Sequence, residues 1–207
     1  MTNKSKANLI IDYFDEILPN AGCALNYTKD YEFLIAVMLS AQTTDAKVNK
    51  VTEILFNKYR DLKSLSTAKY DDVFSIIKPL GMASKKTQNI LDIAGIMIKK
   101  YDFRVVNNKE ELMKLSGVGN KTAEVVLVEL FHEPNFPVDT HVHRIAKRLN
   151  ITNDNDDVVV CEEKLKRYFP KDKWIKLHHQ FIHFGRSKCT AKNPKCESCA
   201  LKDICKN

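Results

Sequence analysis

Apolar residues recur at three- and four-residue spacing along almost the whole chain, the signature of helices that bury one face. Ala7, Ile10, Ile11, Phe14, Ile17 and Leu18 mark a first amphipathic helix that Pro19 ends. The run Phe33 to Leu39 is apolar on all sides and reads as a buried helix. Thr44 is placed to N-cap a helix carrying Val48, Val51, Leu55 and Tyr59. Ser84 is placed to cap another, with Ile90, Ile93, Ala94, Met97, Ile98 and Tyr101 on one face. Two helices, 109–115 and about 120–131, flank a short glycine-bearing turn, and a further one starts at Thr140 and carries Val142, Ile145, Ala146 and Leu149. Asp154 to Phe169 is expected to be helical, as is a last long segment with Trp174, Leu177, His178, Phe181, Ile182 and Gly185. Strand-like alternation is nowhere sustained, and the β-branched run Val158 to Val160 is too short to change the expectation of an all-α fold.

The turn Leu115-Ser116-Gly117-Val118-Gly119-Asn120-Lys121 carries the first candidate chemistry. Glycines two apart permit positive φ and close approach of another backbone. The amides after the turn open a helix, so unpaired N–H groups point outward and can seat a phosphate oxygen. An ordinary turn between two helices would satisfy the same pattern. The glycine spacing is not that of a Walker loop. Lys121 projects opposite the face expected to be buried, Ala123, Val126, Leu127, Leu130 and Phe131. A cation at a helix N-terminus is disfavoured by the macrodipole, which gives this amine a reason to act as a neutral nucleophile and form a Schiff base. A solvated lysine that touches phosphate fits the position equally.

Asp139 and Thr140 begin a helix, and either serves as an N-cap. A carboxylate fixed by capping can also steady positive charge at a reacting sugar. His141 and His143 read as structural or as phosphate contacts. Near the C-terminus, Cys189, Cys196, Cys199 and Cys205 form C-x6-C-x2-C-x5-C within 17 residues. Thiolates so spaced bind zinc or an iron–sulfur cluster, and spacing leaves the two open. Lys188, Lys192 and Lys195 lie in or beside the first loop of this array, where they could grip phosphates or simply face water. Cys23 and Cys161 are isolated and read as packing residues.

Charge adds to this picture. The 207 residues carry a formal net charge of +7, which suits a polyanionic partner and supplies affinity without specificity. No apolar run approaches the roughly 20 residues that span a bilayer, and the N-terminal segment is interrupted by Asp12, Asp15 and Glu16, unlike a signal peptide. The expectation is a cytoplasmic, nucleoid-associated protein with no membrane partner.

Taken together, Leu115 to Val126, Val138 to His141 with Arg144, the cysteine array, and Leu39-Ser40-Ala41-Gln42-Thr43-Thr44-Asp45 resemble the endonuclease III family over nearly the whole chain. These are bifunctional DNA glycosylases and abasic-site lyases of the helix–hairpin–helix superfamily. The resemblance implies two helical domains with a DNA-binding cleft between them. A six-helix domain would span about 23–133 and carry the hairpin; residues 1–22 with 134–207 would form the other, closed by a [4Fe–4S] loop. It assigns Lys121 as nucleophile, Asp139 as its carboxylate partner and the four cysteines as cluster ligands. DNA contacts would come from Gln42, Met82, Gly117, Val118, Gly119, Lys121, His141, Arg144, Lys192 and Lys195, with Gln42 and Met82 filling the gap left by an extruded nucleotide. The implied partner is double-stranded DNA bearing damaged bases or abasic sites, met by a monomer, and the implied lesions are oxidised pyrimidines. The chain departs from the family at Ser116, where proline is frequent, and at Asn120, where a basic residue is frequent.

Three other readings remain at this stage. A monofunctional adenine glycosylase of the same superfamily would typically lack Lys121. A non-enzymatic hairpin module would bind DNA without nicking it, and a zinc-bound interaction protein would lack iron.

Overall fold

A computed structural model describes residues 2–206, and among them there are helices, turns and loops but no strand. The chain divides into two units: Ala24–Phe131, and the N-terminal segment through Cys23 joined with the chain from His132 onward.

The Ala24–Phe131 unit is built around α2 (Asp30–Leu39). Every residue from Tyr31 to Leu39 is buried, as expected of a helix apolar on all sides. Its N-terminus is closed by Glu32, whose Oε2 accepts from Thr28 N, Thr28 Oγ1 and Lys29 N, which explains a buried carboxylate in this core. Around α2 lie α3 (Asp45–Lys58), α4 (Leu62–Ser66), α5 (Tyr70–Ile77), α6 (Ala83–Lys100), α7 (Lys109–Met113) and α8 (Asn120–Phe131). Helices α3, α6 and α8 pack directly on α2, while α4 and α5 pack on α6.

The other unit joins α1 (Asn3–Ile17) to α9 (Thr140–Arg148), α10 (Val158–Tyr168) and α11 (Trp174–Ser187). Its core is aromatic: Phe14, Phe136, Phe181 and Phe184 are all almost wholly buried. Phe14 meets Phe181 edge to face at 5.2 Å between centroids. Full burial of each such ring contributes roughly 1.5–3 kcal/mol. Helices α9 and α11 approach closely at Gly185, where a Cβ would lie 2.9 Å from His141 Cβ and 3.0 Å from Ile145 Cδ1. Arg144 locks the same crossing by donating to Gly185 O at 2.9 Å and Cys189 O at 3.0 Å.

One local expectation holds in position only, and three need correction. Thr44 stands at the N-cap of α3, but its side chain makes no capping bond. Ser84 lies inside α6, whose N-cap is Met82 in a left-handed conformation. Helix α10 begins at Val158 rather than Asp154, because Asp156 Oδ2 accepts from Asn153 N and Thr152 Oγ1 and so holds a non-helical turn. Asp157 then caps the helix through Val160 N, and Val158 to Val160 form its exposed first turn. On α8 the buried face is Ala123, Glu124, Val126, Leu127 and Val128; Leu130 and Phe131 are half-exposed.

Candidate functional site

The hairpin runs from α7 through Lys114–Gly119 into α8. Successive amides fold back on the preceding turn: Leu115 N donates to Leu112 O, and Val118 N to Leu115 O. Gly117 has φ +76°, and a Cβ there would lie 2.1 Å from Asn89 Nδ2 and 3.2 Å from Met38 Cγ. The positive φ calls for glycine, and a Cβ there would also have to displace the Asn89 amide of α6. Gly119 differs: its φ is ordinary and nothing lies within 4 Å of a Cβ placed on it. It leaves open space outside the turn. Val118 is buried at 5 % exposure, so only its backbone is available to a ligand.

The first backbone bond of α8 runs from Ala123 N to Gly119 O. The amides of Gly119, Asn120 and Lys121 make no backbone hydrogen bond among the described residues, leaving a positive helix end open to an anion. Lys121 is exposed in this first turn. Beneath it, Glu124 is buried and clamps the hairpin, accepting from Lys109 Nζ of α7 at 2.6 Å and Asn120 Nδ2 at 3.1 Å. Ser116 Oγ donates to Asp92 Oδ2 of α6 at 3.1 Å. This bond steadies the turn where the family frequently has a proline ring. Asn120 is thus a brace of the hairpin rather than a basic contact.

Two further chain positions depart from ordinary backbone. Gln42 (φ +55°) and Met82 (φ +48°) both occupy the left-handed region and both are exposed, Met82 by 50 %. Such conformations are unfavourable for residues with a side chain and persist where their surroundings enforce them.

In the other unit, Asp139 caps α9, its Oδ1 accepting from His141 N and Val142 N, each at 2.8 Å. Among the described residues no hydrogen bond is made to Oδ2, so capping aims the carboxylate without using all of it. His141 is half-buried; burial and, beyond it, the nearby Arg144 hold its imidazole below the usual histidine pKa, against the opposing pull of Asp139. That direction favours the neutral ring, which can donate or accept a hydrogen bond. Arg144 directs Nη2 at the two carbonyls of the α9–α11 crossing and at His141 Nδ1, 3.3 Å away. His143 turns to Asp156 O at 2.9 Å.

Cys189, Cys196, Cys199 and Cys205 line one pocket with Ile145, Leu149, Phe184 and Leu201. Among the described residues no three His, Cys, Asp or Glu are gathered tightly enough to hold a single metal ion. Four thiols lining one apolar pocket fit the all-cysteine donor set of an iron–sulfur cluster. Burial pushes the Cys189 thiol up, and Arg148, which donates to its Sγ at 3.2 Å, pulls it back toward thiolate. Arg148 also donates to Thr190 O and Ala191 O, and Lys195 N donates to Lys188 O, closing the first loop of the array. Lys192 and Lys195 are exposed on that loop, whereas Lys188 lies over the Tyr13 ring. No sequence periodicity marked Arg148, Glu124 or Asn89, because their roles depend on residues from other helices.

Comparison with known proteins agrees with this geometry. Residues 35–171 match the HhH-GPD superfamily of base excision DNA repair proteins. Residues 189–205, bounded by the first and last cysteines of the array, match the iron–sulfur binding domain of endonuclease III. Endonuclease III of Bacillus subtilis is 38 % identical over 206 residues, covering 100 % of this chain and 94 % of that one. The Haemophilus influenzae enzyme is 39 % identical, covering 98 % and 96 %. A trapped endonuclease III–DNA covalent intermediate superposes with a TM-score of 0.93 at 40 % identity, covering 100 % of this chain and 97 % of that chain. A thermostable thymine-DNA glycosylase, 22 % identical with a TM-score of 0.82, shares the fold. No helix among the described residues is long and apolar enough to cross a membrane. An exposed lysine at an open helix end beside a glycine turn, a capped aspartate and a four-cysteine pocket thus occur together in a chain that belongs to the endonuclease III family of HhH-GPD base excision repair proteins.

Proposed function

We propose that this protein excises oxidised pyrimidines from double-stranded DNA with Lys121 as nucleophile, and then nicks the strand at the same nucleotide. It is a DNA glycosylase and abasic-site lyase that carries a [4Fe–4S] cluster. The observation that carries the residue assignment is the exposed amine of Lys121 in the first turn of α8, beside amides that no other backbone group uses. A phosphate seated on those amides places the adjacent deoxyribose beside the amine.

The target nucleotide leaves the stack, at an energetic cost smallest for a damaged base. Gln42 and Met82, side chains already extended into solvent, take its place in the duplex. Lys121 Nζ bonds through its lone pair to C1′ as the C1′–N bond to the base breaks, and the base departs with a proton. Asp139 steadies the positive charge that develops on the sugar. Ring opening leaves an iminium between Nζ and C1′, which acidifies the 2′ proton. Loss of that proton expels the 3′ phosphate oxygen, and water returns the lysine. Electrons balance without any redox partner. Cys189, Cys196, Cys199 and Cys205 would hold the cluster, which supplies a structural staple for the loop bearing Lys192 and Lys195. In this reading the protein acts as a monomer on nucleoid DNA.

Borohydride reduction of a reaction on a duplex with one oxidised pyrimidine tests the assignment. The wild type is expected to form a covalent protein–DNA band. Lys121→Gln is expected to bind the same duplex and form none; normal trapping by that variant would remove Lys121 from the reaction.

A further inference from the structure

The two left-handed residues, Gln42 and Met82, lie 40 positions apart in sequence, yet one side chain ties their loops together. Lys86, in the second turn of α6, is only 3 % exposed. Its ammonium donates to Ala41 O at 3.1 Å and to Thr43 Oγ1 at 2.9 Å, the residues on either side of Gln42. It donates as well to Leu80 O at 3.3 Å, two residues before Met82. Thr43 Oγ1 in turn donates to Leu80 O at 2.9 Å, so the loops are joined directly and through the lysine. The backbone amide of Lys86 completes the arrangement by donating to Met82 O at 3.0 Å.

All three acceptors of the ammonium are neutral oxygens, so no carboxylate rewards the burial. Burial, with the charge of Lys47 behind it, lowers the affinity of this amine for its proton. A methionine or leucine would fill the space without that penalty, so packing of α6 gives no reason for a charged group here. What the lysine adds is three directed bonds that fix two strained loops in one relative position.

We propose that Lys86 is a positioning residue for base extrusion, holding the Gln42 and Met82 loops as one preorganised wedge that enters the duplex when the damaged nucleotide leaves it. The proposal rests on the excision reading above, because only a nucleotide that must leave a stack needs a wedge. A rigid pair of loops meets the unstacked gap already in shape; independent loops would have to be ordered at each encounter. Lys86 touches neither DNA nor the reacting atoms in this scheme, so its loss falls on flipping and spares the chemistry.

The test compares two substrates: a duplex with a paired oxidised pyrimidine, and a single-stranded oligonucleotide with an abasic site, which needs no extrusion. Lys86→Met is expected to lower kcat/KM on the duplex by about ten- to a hundredfold, the scale of a small misplacement of a working group. On the single strand the change is expected to stay under about twofold. Thr43→Val, which breaks the direct link and one of the three ammonium bonds but keeps the lysine, gives a smaller loss with the same split and decides the matter if Lys86→Met does not fold. In a Gln42→Ala, Met82→Ala background, Lys86→Met should add no further duplex loss. Equal losses on both substrates, or a full additional loss in that background, would overturn the positioning role. A wild type that nicks neither substrate would instead remove the excision reading.

Discussion

Replacing Gly117 and Gly119 one at a time separates a glycine the fold needs from a glycine the ligand needs. Alanine at 117 must hold φ near +76° and place its methyl 2.1 Å from Asn89 Nδ2. The left-handed backbone costs about 1–2 kcal/mol and overpacking about 1–3, the lower end applying because the Asn89 amide can swing. Met38 Cγ, 3.2 Å away, limits how far it swings. The total is about 2–4 kcal/mol, which at ~2–4 °C per kcal/mol for a chain of this size lowers the melting temperature by roughly 4–16 °C. Alanine at 119 meets nothing within 4 Å and needs no positive φ. It should leave the fold as stable as before or add about 0.4–1 kcal/mol by restricting the unfolded chain. Its methyl nonetheless stands where a phosphate would approach, so DNA affinity should fall about tenfold, near the ~1.5 kcal/mol of one hydrogen bond to a charged group. Circular dichroism melts and fluorescence-anisotropy titration with an abasic duplex at fixed salt measure the two effects. If Gly119→Ala binds as tightly as wild type, the turn is not a phosphate seat. If Gly117→Ala melts with the wild type, the close approach of α6 has been misread.

Glu124→Ala should destabilise the protein by about 1–3 kcal/mol, since it removes a buried acceptor shared by two donors while Lys109, 40 % exposed, can return to water; urea unfolding that shows no change would exclude the clamp. His141, held neutral chiefly by burial, should show an imidazole NMR titration midpoint below the ordinary value of about 6.5. Its folded pKa is depressed, so the stability linked to it is complete above about pH 6.5 and is lost as pH falls through the lower folded value; a midpoint above 6.5 would contradict the burial argument. Purified protein should contain about four irons per chain and lose them on Cys199→Ser, and a colourless, zinc-loaded protein with full activity would refute the cluster.

The amphipathic periodicity was sufficient to place α1, α2, α3, α6, α8, α9 and α11, because each buries a stripe or a whole surface whose spacing is local. The short helices α4 and α5 escaped it: one and two turns give too few positions to establish a period. Helix starts were the weak point: at Asp156 a side chain competes with the backbone, and at Met82 no rule for caps anticipates the left-handed φ. The candidate chemistry was also local in part. Gly117 to Lys121 and the cysteine array are contiguous motifs in which spacing and residue type carry the meaning.

The residues that hold those motifs in place were invisible along the chain. Nothing in the local pattern singles out Lys86 or Glu124, Arg144 is implied only as a DNA contact, and Gly185 is a helix position like any other. Their meaning comes from what lies opposite: the Ala41 carbonyl 45 residues away for Lys86, α7 for Glu124, the end of α11 for Arg144. Sequence determines which groups can react and which faces must be buried, since both follow from residue type at short spacing. Which polar groups are taken out of water, and by whom they are satisfied, is decided only when distant helices meet, because the cost of burying a charge depends on partners that no local pattern contains.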